Sequence, residues 1–195
     1  RNLQAILPLR GKVLNTEALA LGKVLDNREL ADLVTALGCG IGKTFELAKL
    51  RYAKVVLLAD ADSDGNHITT LLLTFFYRHL PELIRAARVF VAVPPLYRID
   101  IGKETFWAVD DADKDRIVGE HKGKPEITRF KGLGEMMPKT LWDTTLNPAT
   151  RRLFRVSIQD GLETDRVISE LMGKDPACRF RFIMERADEA QELDL

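Results

Sequence analysis

Cysteine and histidine are scarce in this sequence, neither sign of charge is in excess, and long hydrophobic runs are absent. Its two cysteines, Cys39 and Cys178, cannot form a disulfide framework and are typical of a reducing compartment. Lysine plus arginine and aspartate plus glutamate number 29 each, so any basic surface for nucleic acid must be local. No apolar run is long enough to span a membrane, and no signal peptide is visible. We therefore expect a cytoplasmic protein without a membrane partner.

Apolar residues are plentiful and periodic, which indicates a folded chain. They make up 46% of 195 residues, enough for one or two domains with a substantial core. The first residue is arginine rather than methionine, as we expect of a piece of a longer protein. Helices are predicted over residues 16–50, with Thr16 and Asn27 as N-caps and Gly38 as the C-terminal glycine.

The middle of the chain predicts a strand, a helix and a second strand. The strand Val55–Ala59 precedes an apolar helix over residues 67–87 that Pro81 can kink, and another strand follows at 89–93. This order makes a parallel βαβ unit. Beyond it we predict strands at 96–99, 105–109 and 153–158, a surface segment at 110–125, and helices after Pro138 and from 159 onward.

Three carboxylates stand directly after the apolar strand, in Asp60-Ala61-Asp62-Ser63-Asp64-Gly65. Ligands bind at the carboxyl ends of strands in open α/β sheets. Carboxylates crowded at such an end repel each other unless a hard cation such as Mg²⁺ neutralises them. The pattern favours a magnesium site that handles phosphates, and ordinary Asp-Gly turn chemistry is the alternative.

Three related motifs fit less well. An EF-hand loop that begins at Asp60 needs a glutamate at its twelfth position, which is Leu71 here. The haloacid-dehalogenase phosphatases resemble the segment up to Asp-x-Asp, but Asp64 stands where they carry Thr or Val. The segment Gly38–Thr44 follows a helix and has Leu37 where a P-loop has its first glycine, so we exclude nucleotide binding there.

Cations flank glycines in two loops. Arg10-Gly11-Lys12 and Phe130-Lys131-Gly132-Leu133-Gly134-Glu135-Met136 each place a positive side chain beside flexible backbone. Arg10 and Lys131 are therefore candidate phosphate contacts, and a solvated basic loop is the alternative for both.

Three motifs in one order carry a family resemblance. Pro8-Leu9-Arg10-Gly11-Lys12-Val13-Leu14-Asn15, the acidic loop through His67, and Phe130–Met136 together resemble the C-terminal half of the B subunit of bacterial type IIA topoisomerases. The resemblance covers essentially the whole chain. Ser63 and the segment Pro94–Asp100 are more similar to the topoisomerase IV branch of that family than to the gyrase branch.

The resemblance implies an α/β fold. It implies a TOPRIM domain, a Rossmann-like and mostly parallel sheet flanked by helices, over residues 1–100, and a mixed α+β C-terminal tail over residues 101–195. It also implies Mg²⁺ at Asp60 and Asp62 with Asp64 in support. The DNA contacts that it implies are Lys12, Asn15, His67 and Arg179.

The resemblance further implies partners and a missing group. In that family the nucleophilic tyrosine lies on an A subunit, A and B subunits form an A2B2 heterotetramer on DNA, and ATP binds in a separate N-terminal domain. The first TOPRIM strand of the family ends in Glu-Gly-Asp-Ser-Ala, and that Glu should lie before Arg1. We therefore expect an incomplete metal site, no assignable catalytic acid in this sequence, and no activity of the chain alone.

Two other functions fit the residues without the resemblance. One is a stand-alone Mg²⁺-dependent phosphatase or nuclease, which would need no second subunit. The other is a DNA-binding or subunit-docking scaffold, which would need no metal.

Overall fold

The computed structural model describes residues 3–187, which divide into two compact units. The first unit takes the chain up to residue 51, residues 71–86 and the chain from residue 157, and the second unit takes residues 52–70 and 87–156. The helices are α1 (Leu21–Leu25), α2 (Arg28–Leu37), α3 (Ser63–His79), α4 (Pro81–Arg85), α5 (Asp111–Glu120), α6 (Pro138–Leu141), α7 (Gly161–Met172) and α8 (Pro176–Glu185). The strands are β1 (Val55–Leu57), β2 (Val89–Ala92), β3 (Tyr97–Ile101), β4 (Glu104–Ala108), β5 (Pro125–Arg129) and β6 (Leu153–Arg155).

The second unit contains two three-stranded sheets. In the order β1-β2-β6, β1 pairs parallel to β2 with Val55 opposite Val89, and β6 pairs antiparallel to β2. The chain between β1 and β2 runs through α3 and α4, so the βαβ connection and the α/β class are confirmed. The strand predicted over Val55–Ala59 is shorter than expected and ends at Leu57. Leu57 is buried, whereas Leu58 is exposed.

The other sheet has the order β4-β3-β5 and is antiparallel throughout. Its buried face carries Tyr97, Ile99 and Ile101, which pack with Ile117 of α5. Most residues of the surface segment predicted at 110–125 are exposed, but the prediction missed that residues 111–120 form a helix. Asp110 caps that helix by accepting a hydrogen bond from the Asp113 N–H at 2.7 Å.

In the first unit the predicted caps of α2 are confirmed. The Asn27 side chain accepts from the Leu30 N–H at 3.1 Å, and Gly38 ends the helix with a left-handed φ of 74°. Thr16 as an N-cap was wrong, because α1 begins only after Ala20 and Thr16 is buried. Pro81 separates α3 from α4, since it stands at the first position of the second helix.

Two further expectations concern domains and membranes. β6 comes from residues 153–155 yet shares a sheet with β1 and β2. Strand pairing within a sheet does not show which parts of the chain fold independently. The predicted domain boundary at residue 100 therefore stays a prediction. Within residues 3–187, no helix is long and apolar enough to cross a membrane.

His79, in the last turn of α3, predicts a pH dependence of stability. Burial lowers its pKa below the usual value, and the charge of Arg78 adds to this, whereas a hydrogen bond with the Thr16 backbone opposes it. The unfolded chain therefore binds a proton near its ordinary pKa of about 6.5 that the folded chain resists. We expect the urea midpoint to fall as the pH drops from 7.5 to 5.5, and His79→Gln to reduce this fall. An equal fall in the variant would contradict the assignment.

Candidate metal and DNA-contact site

The acidic loop, residues Asp60–Asp64, lies at the carboxyl end of β1 and leads into α3. Its three aspartates are exposed. Asp62 stands just before the first residue of α3, and its Oδ1 accepts a hydrogen bond from the Gly65 N–H at 2.6 Å. Asp64 lies in the first turn of the same helix. Negative charge at a helix N-terminus is favourable, so Asp62 and Asp64 stabilise the start of α3, and the helix stabilises their charges.

Gly65 is required by the close approach of the loop backbone. A Cβ atom at this position would lie 2.0 Å from the Asp60 carbonyl oxygen, a distance that no real Cβ contact reaches. The Asp-Gly pair here is therefore the start of a helix packed against its own strand end, and not a free turn. This geometry holds Asp60 over the first turn of α3.

A second motif meets the acidic loop within the same unit. The Leu133 N–H donates to Asp60 Oδ1 at 2.7 Å, although the two residues are 73 positions apart. Glu135 Oε2 accepts from the Lys131 N–H at 2.7 Å, which closes residues Lys131–Glu135 into a compact segment that we call the glycine turn. A Cβ on Gly132 would lie 3.3 Å from the Asp60 carboxylate, so this glycine permits the contact.

The carboxylates fit a hard cation by chemistry, but the structure does not gather them into a closed cage. Among residues 3–187, no group of three or more His, Cys, Asp or Glu side chains is close enough to hold a metal. The bonds to Gly65 and Leu133 each use Oδ1, and a carboxylate has a second oxygen that can ligate a cation without breaking them. Mg²⁺ commonly takes only one or two protein carboxylates and completes its shell with water and substrate phosphates. Asp60 and Asp62 fit that mode.

Two of the predicted nucleic-acid contacts lie in the same unit as the acidic loop. His67 is exposed on α3, three residues after Asp64. Lys131 is exposed at the start of the glycine turn, and its backbone, not its side chain, makes the bond to Glu135. Both side chains are therefore accessible to a polyanion.

The other predicted contacts lie in the first unit. Arg10 and Lys12 are exposed in a segment without regular structure, and the Arg10 N–H donates to Glu29 Oε1 at 3.0 Å. Both polar groups of the Asn15 side chain have a hydrogen-bond partner. Its amide N–H donates to the Met172 carbonyl at 2.8 Å, and its Oδ1 accepts from the Glu17 N–H at 3.0 Å.

Arg179 also has a partner inside the chain. Its guanidinium donates to the Gly173 carbonyl, next to the carbonyl that Asn15 uses, so both side chains meet the C-terminal end of α7. Sequence reasoning missed this arrangement. It also missed the bond from Leu133 to Asp60, because neither contact leaves a local signal.

Comparison with known proteins supports the resemblance. The sequence profile of the Toprim domain matches residues 1–94, and that of the DNA gyrase B subunit carboxyl terminus matches residues 122–184. The DNA gyrase B subunit of Thermotoga maritima is 48% identical over 196 residues, covering 100% of this chain and 31% of that protein. The Archaeoglobus fulgidus protein of the same name is 45% identical over 195 residues, with the same coverage of each chain. The chain thus spans 31% of the length of these relatives.

The relatives bear on the branch of the family as well. They are named as B subunits of DNA gyrase, so the preference for the topoisomerase IV branch is not supported. The two profiles occur in the order of the three motifs, and together with these relatives they show that the chain belongs to the family of type IIA DNA topoisomerase B subunits.

Proposed function

We propose that this chain is the metal-binding part of the DNA cleavage and religation centre of a gyrase-type B subunit. One observation carries the proposal: the acidic loop at the end of a parallel strand is hydrogen-bonded to the glycine turn, with His67 and Lys131 exposed in the same unit. Carboxylates for a cation and side chains for a polyanion are what phosphoryl transfer on DNA needs.

The residues divide the work by their chemistry. Asp60 and Asp62 would hold Mg²⁺, with Asp64 adding negative charge. Bound there, Mg²⁺ supplies positive charge that stabilises the phosphate and the leaving 3′ oxygen. The Leu133 N–H orients the Asp60 carboxylate, and Lys12, Lys131 and His67 contact the DNA backbone. These backbone contacts position the duplex without reading its sequence.

The reaction needs a second subunit in this proposal. The family resemblance assigns the nucleophilic tyrosine to the A subunit, and ATP binding to a domain outside this chain. An apolar face on α8 supports a macromolecular partner, since Phe180, Ile183 and Met184 are 65%, 62% and 58% exposed at helical spacing. Contiguous apolar surface of this kind is typical of interaction sites. The proposal includes a cytoplasmic, nucleoid-associated location, because the chain would act on DNA.

The test uses the full-length B subunit and its A subunit with plasmid DNA. We expect cleavage only with both subunits and Mg²⁺, and an ATP-dependent change of plasmid topology only when ATP is added as well. Supercoiling of relaxed plasmid would support the gyrase branch, and decatenation without supercoiling would favour topoisomerase IV. Mg²⁺-dependent nicking by this chain alone would contradict the proposal and favour a stand-alone nuclease.

Lys12 is predicted to contact a phosphate in the assembled enzyme. Lys12→Ala removes one cation, so the slope of log affinity against log salt should become shallower by about one unit. Binding should weaken for all DNA sequences alike, and basal ATP hydrolysis should not change. Affinity at several salt concentrations measures this. Lys23→Ala is the control, because exposed Lys23 pairs with Asp26 at 3.7 Å. Equal slopes for Lys12→Ala and the wild type would show that Lys12 does not contact the DNA backbone.

A further inference from the structure

We propose that Glu135 is a positioning residue for Asp60: it closes the glycine turn and so aims the Leu133 N–H at the Asp60 carboxylate. This inference rests on the proposed metal-binding function and deepens it. Glu135 is exposed and acidic, and sequence alone gives it no role beside the metal-binding aspartates.

The glycine turn is anchored at both ends. Before it, the Phe130 N–H donates to the Leu96 carbonyl at 2.8 Å, and after it Met136 is 7% exposed. The turn and these flanking residues line a small apolar cleft with Ala61 of the acidic loop and with Pro94 and Pro95. Packing therefore places the turn beside the loop but does not by itself fix the direction of one N–H.

Hydrogen bonds inside the turn supply that direction. The Glu135 N–H donates to the Gly132 carbonyl and the Met136 N–H to the Leu133 carbonyl, each at 3.2 Å, which is a single 3₁₀ turn. Such short turns are weak alone. The bond from the Lys131 N–H to Glu135 Oε2, at 2.7 Å, spans the same residues and is charge-assisted. Among the side chains of the glycine turn, that of Glu135 is thus the one that fixes the conformation of the turn's backbone.

The consequence falls on Asp60. Once the turn is locked, the Leu133 N–H meets Asp60 Oδ1 at 2.7 Å and limits rotation of the carboxylate. Groups that orient a ligand in this way typically change metal affinity about 10-fold to 100-fold when removed. Glu135 acts through backbone atoms and needs only an acceptor oxygen. Glutamine retains that oxygen, whereas alanine lacks it.

The experiment follows backbone amide signals of this 195-residue chain by NMR, with Mg²⁺ as the titrant. We expect Glu135→Ala to weaken Mg²⁺ affinity about 10-fold and to speed hydrogen exchange of the Leu133 amide, measured without metal. Glu135→Gln should stay within about threefold of the wild-type affinity, because it still accepts from Lys131. Glu126→Ala, which removes an equal charge from exposed β5, should change neither quantity.

Each other outcome overturns a distinct part of the inference. If Glu135→Ala keeps wild-type affinity while Asp60→Ala abolishes binding, the metal site stands and the positioning role fails. If Glu135→Gln is as impaired as Glu135→Ala, the negative charge is what matters and positioning through the turn is wrong. If Asp60→Ala binds Mg²⁺ like the wild type, the proposed metal site itself fails, whatever the Leu133 amide shows.

Discussion

Asp62→Asn is expected to lower Mg²⁺-dependent DNA cleavage by the assembled enzyme by about 100-fold or more, without harming the fold. This substitution separates the role proposed for Asp62 in binding Mg²⁺ from its observed role as a helix cap. Its Oδ1 caps α3 through the Gly65 N–H, and asparagine caps helices as well as aspartate does. Asparagine lacks the negative charge that holds a divalent cation. Cleavage of plasmid by the A and B subunits, measured across Mg²⁺ concentrations, gives the result.

The control for this prediction is Asp62→Ala. It should lose the same cleavage activity and in addition about 1 kcal/mol of unfolding free energy, because the cap is lost as well. Equal unfolding free energies for the two variants would show that the cap contributes nothing. Wild-type cleavage by Asp62→Asn would remove Asp62 from the metal site.

Arg78→Ala is expected to lower the free energy of unfolding by about 2–3 kcal/mol, the largest effect on stability that we predict. In the first unit Arg78 forms a two-pronged ion pair with Glu17, through Nε to Oε2 at 2.6 Å and Nη2 to Oε1 at 2.8 Å. It also contacts Asp165 and Ser169 of α7. The hydrogen bond with Glu17 is the main reason that the pKa of Arg78 is raised.

The size of the effect comes from Glu17. Its side chain is 8% exposed, so removal of the arginine leaves a buried carboxylate with its main partner gone. Urea unfolding followed by far-ultraviolet circular dichroism measures the loss. Arg166→Ala on α7 is the matched control, since Arg166 also pairs with two carboxylates, Glu163 and Glu170, but lies on the exposed face. A loss in Arg78→Ala no greater than in Arg166→Ala would contradict the prediction.

Local patterns were enough to predict much of the fold. The apolar run before Asp60 indicated β1, and the parallel pairing with β2 followed from the helix between them. Asn27 and Gly38 marked the ends of α2 because capping depends on a few neighbouring backbone groups. Asp110 is a helix cap of the same kind. The helix that follows it was missed because residues 110–120 are highly charged and bury mainly Ile117.

Long-range contacts could not be predicted from the sequence. The bond from Leu133 to Asp60 spans 73 residues, and the bond from Asn15 to Met172 spans 157. Both use backbone groups, which every residue has, so the sequence carries no mark of them. Asn15 and Arg179 remain predicted DNA contacts, although the structure shows that each first serves the end of α7. Each side chain has further N–H donors, so a contact with DNA does not require it to give up its carbonyl.

Titration of this chain with Mg²⁺ by isothermal calorimetry tests the central claim most directly. The comparison is between the wild type and the double variant Asp60→Asn plus Asp62→Asn, which can retain the bonds from Leu133 and Gly65 but lacks both charges. We predict saturable binding to the wild type and none to the double variant, with the same circular dichroism spectrum for both. Identical titrations would show that the acidic loop is a turn and helix cap, and not a metal site.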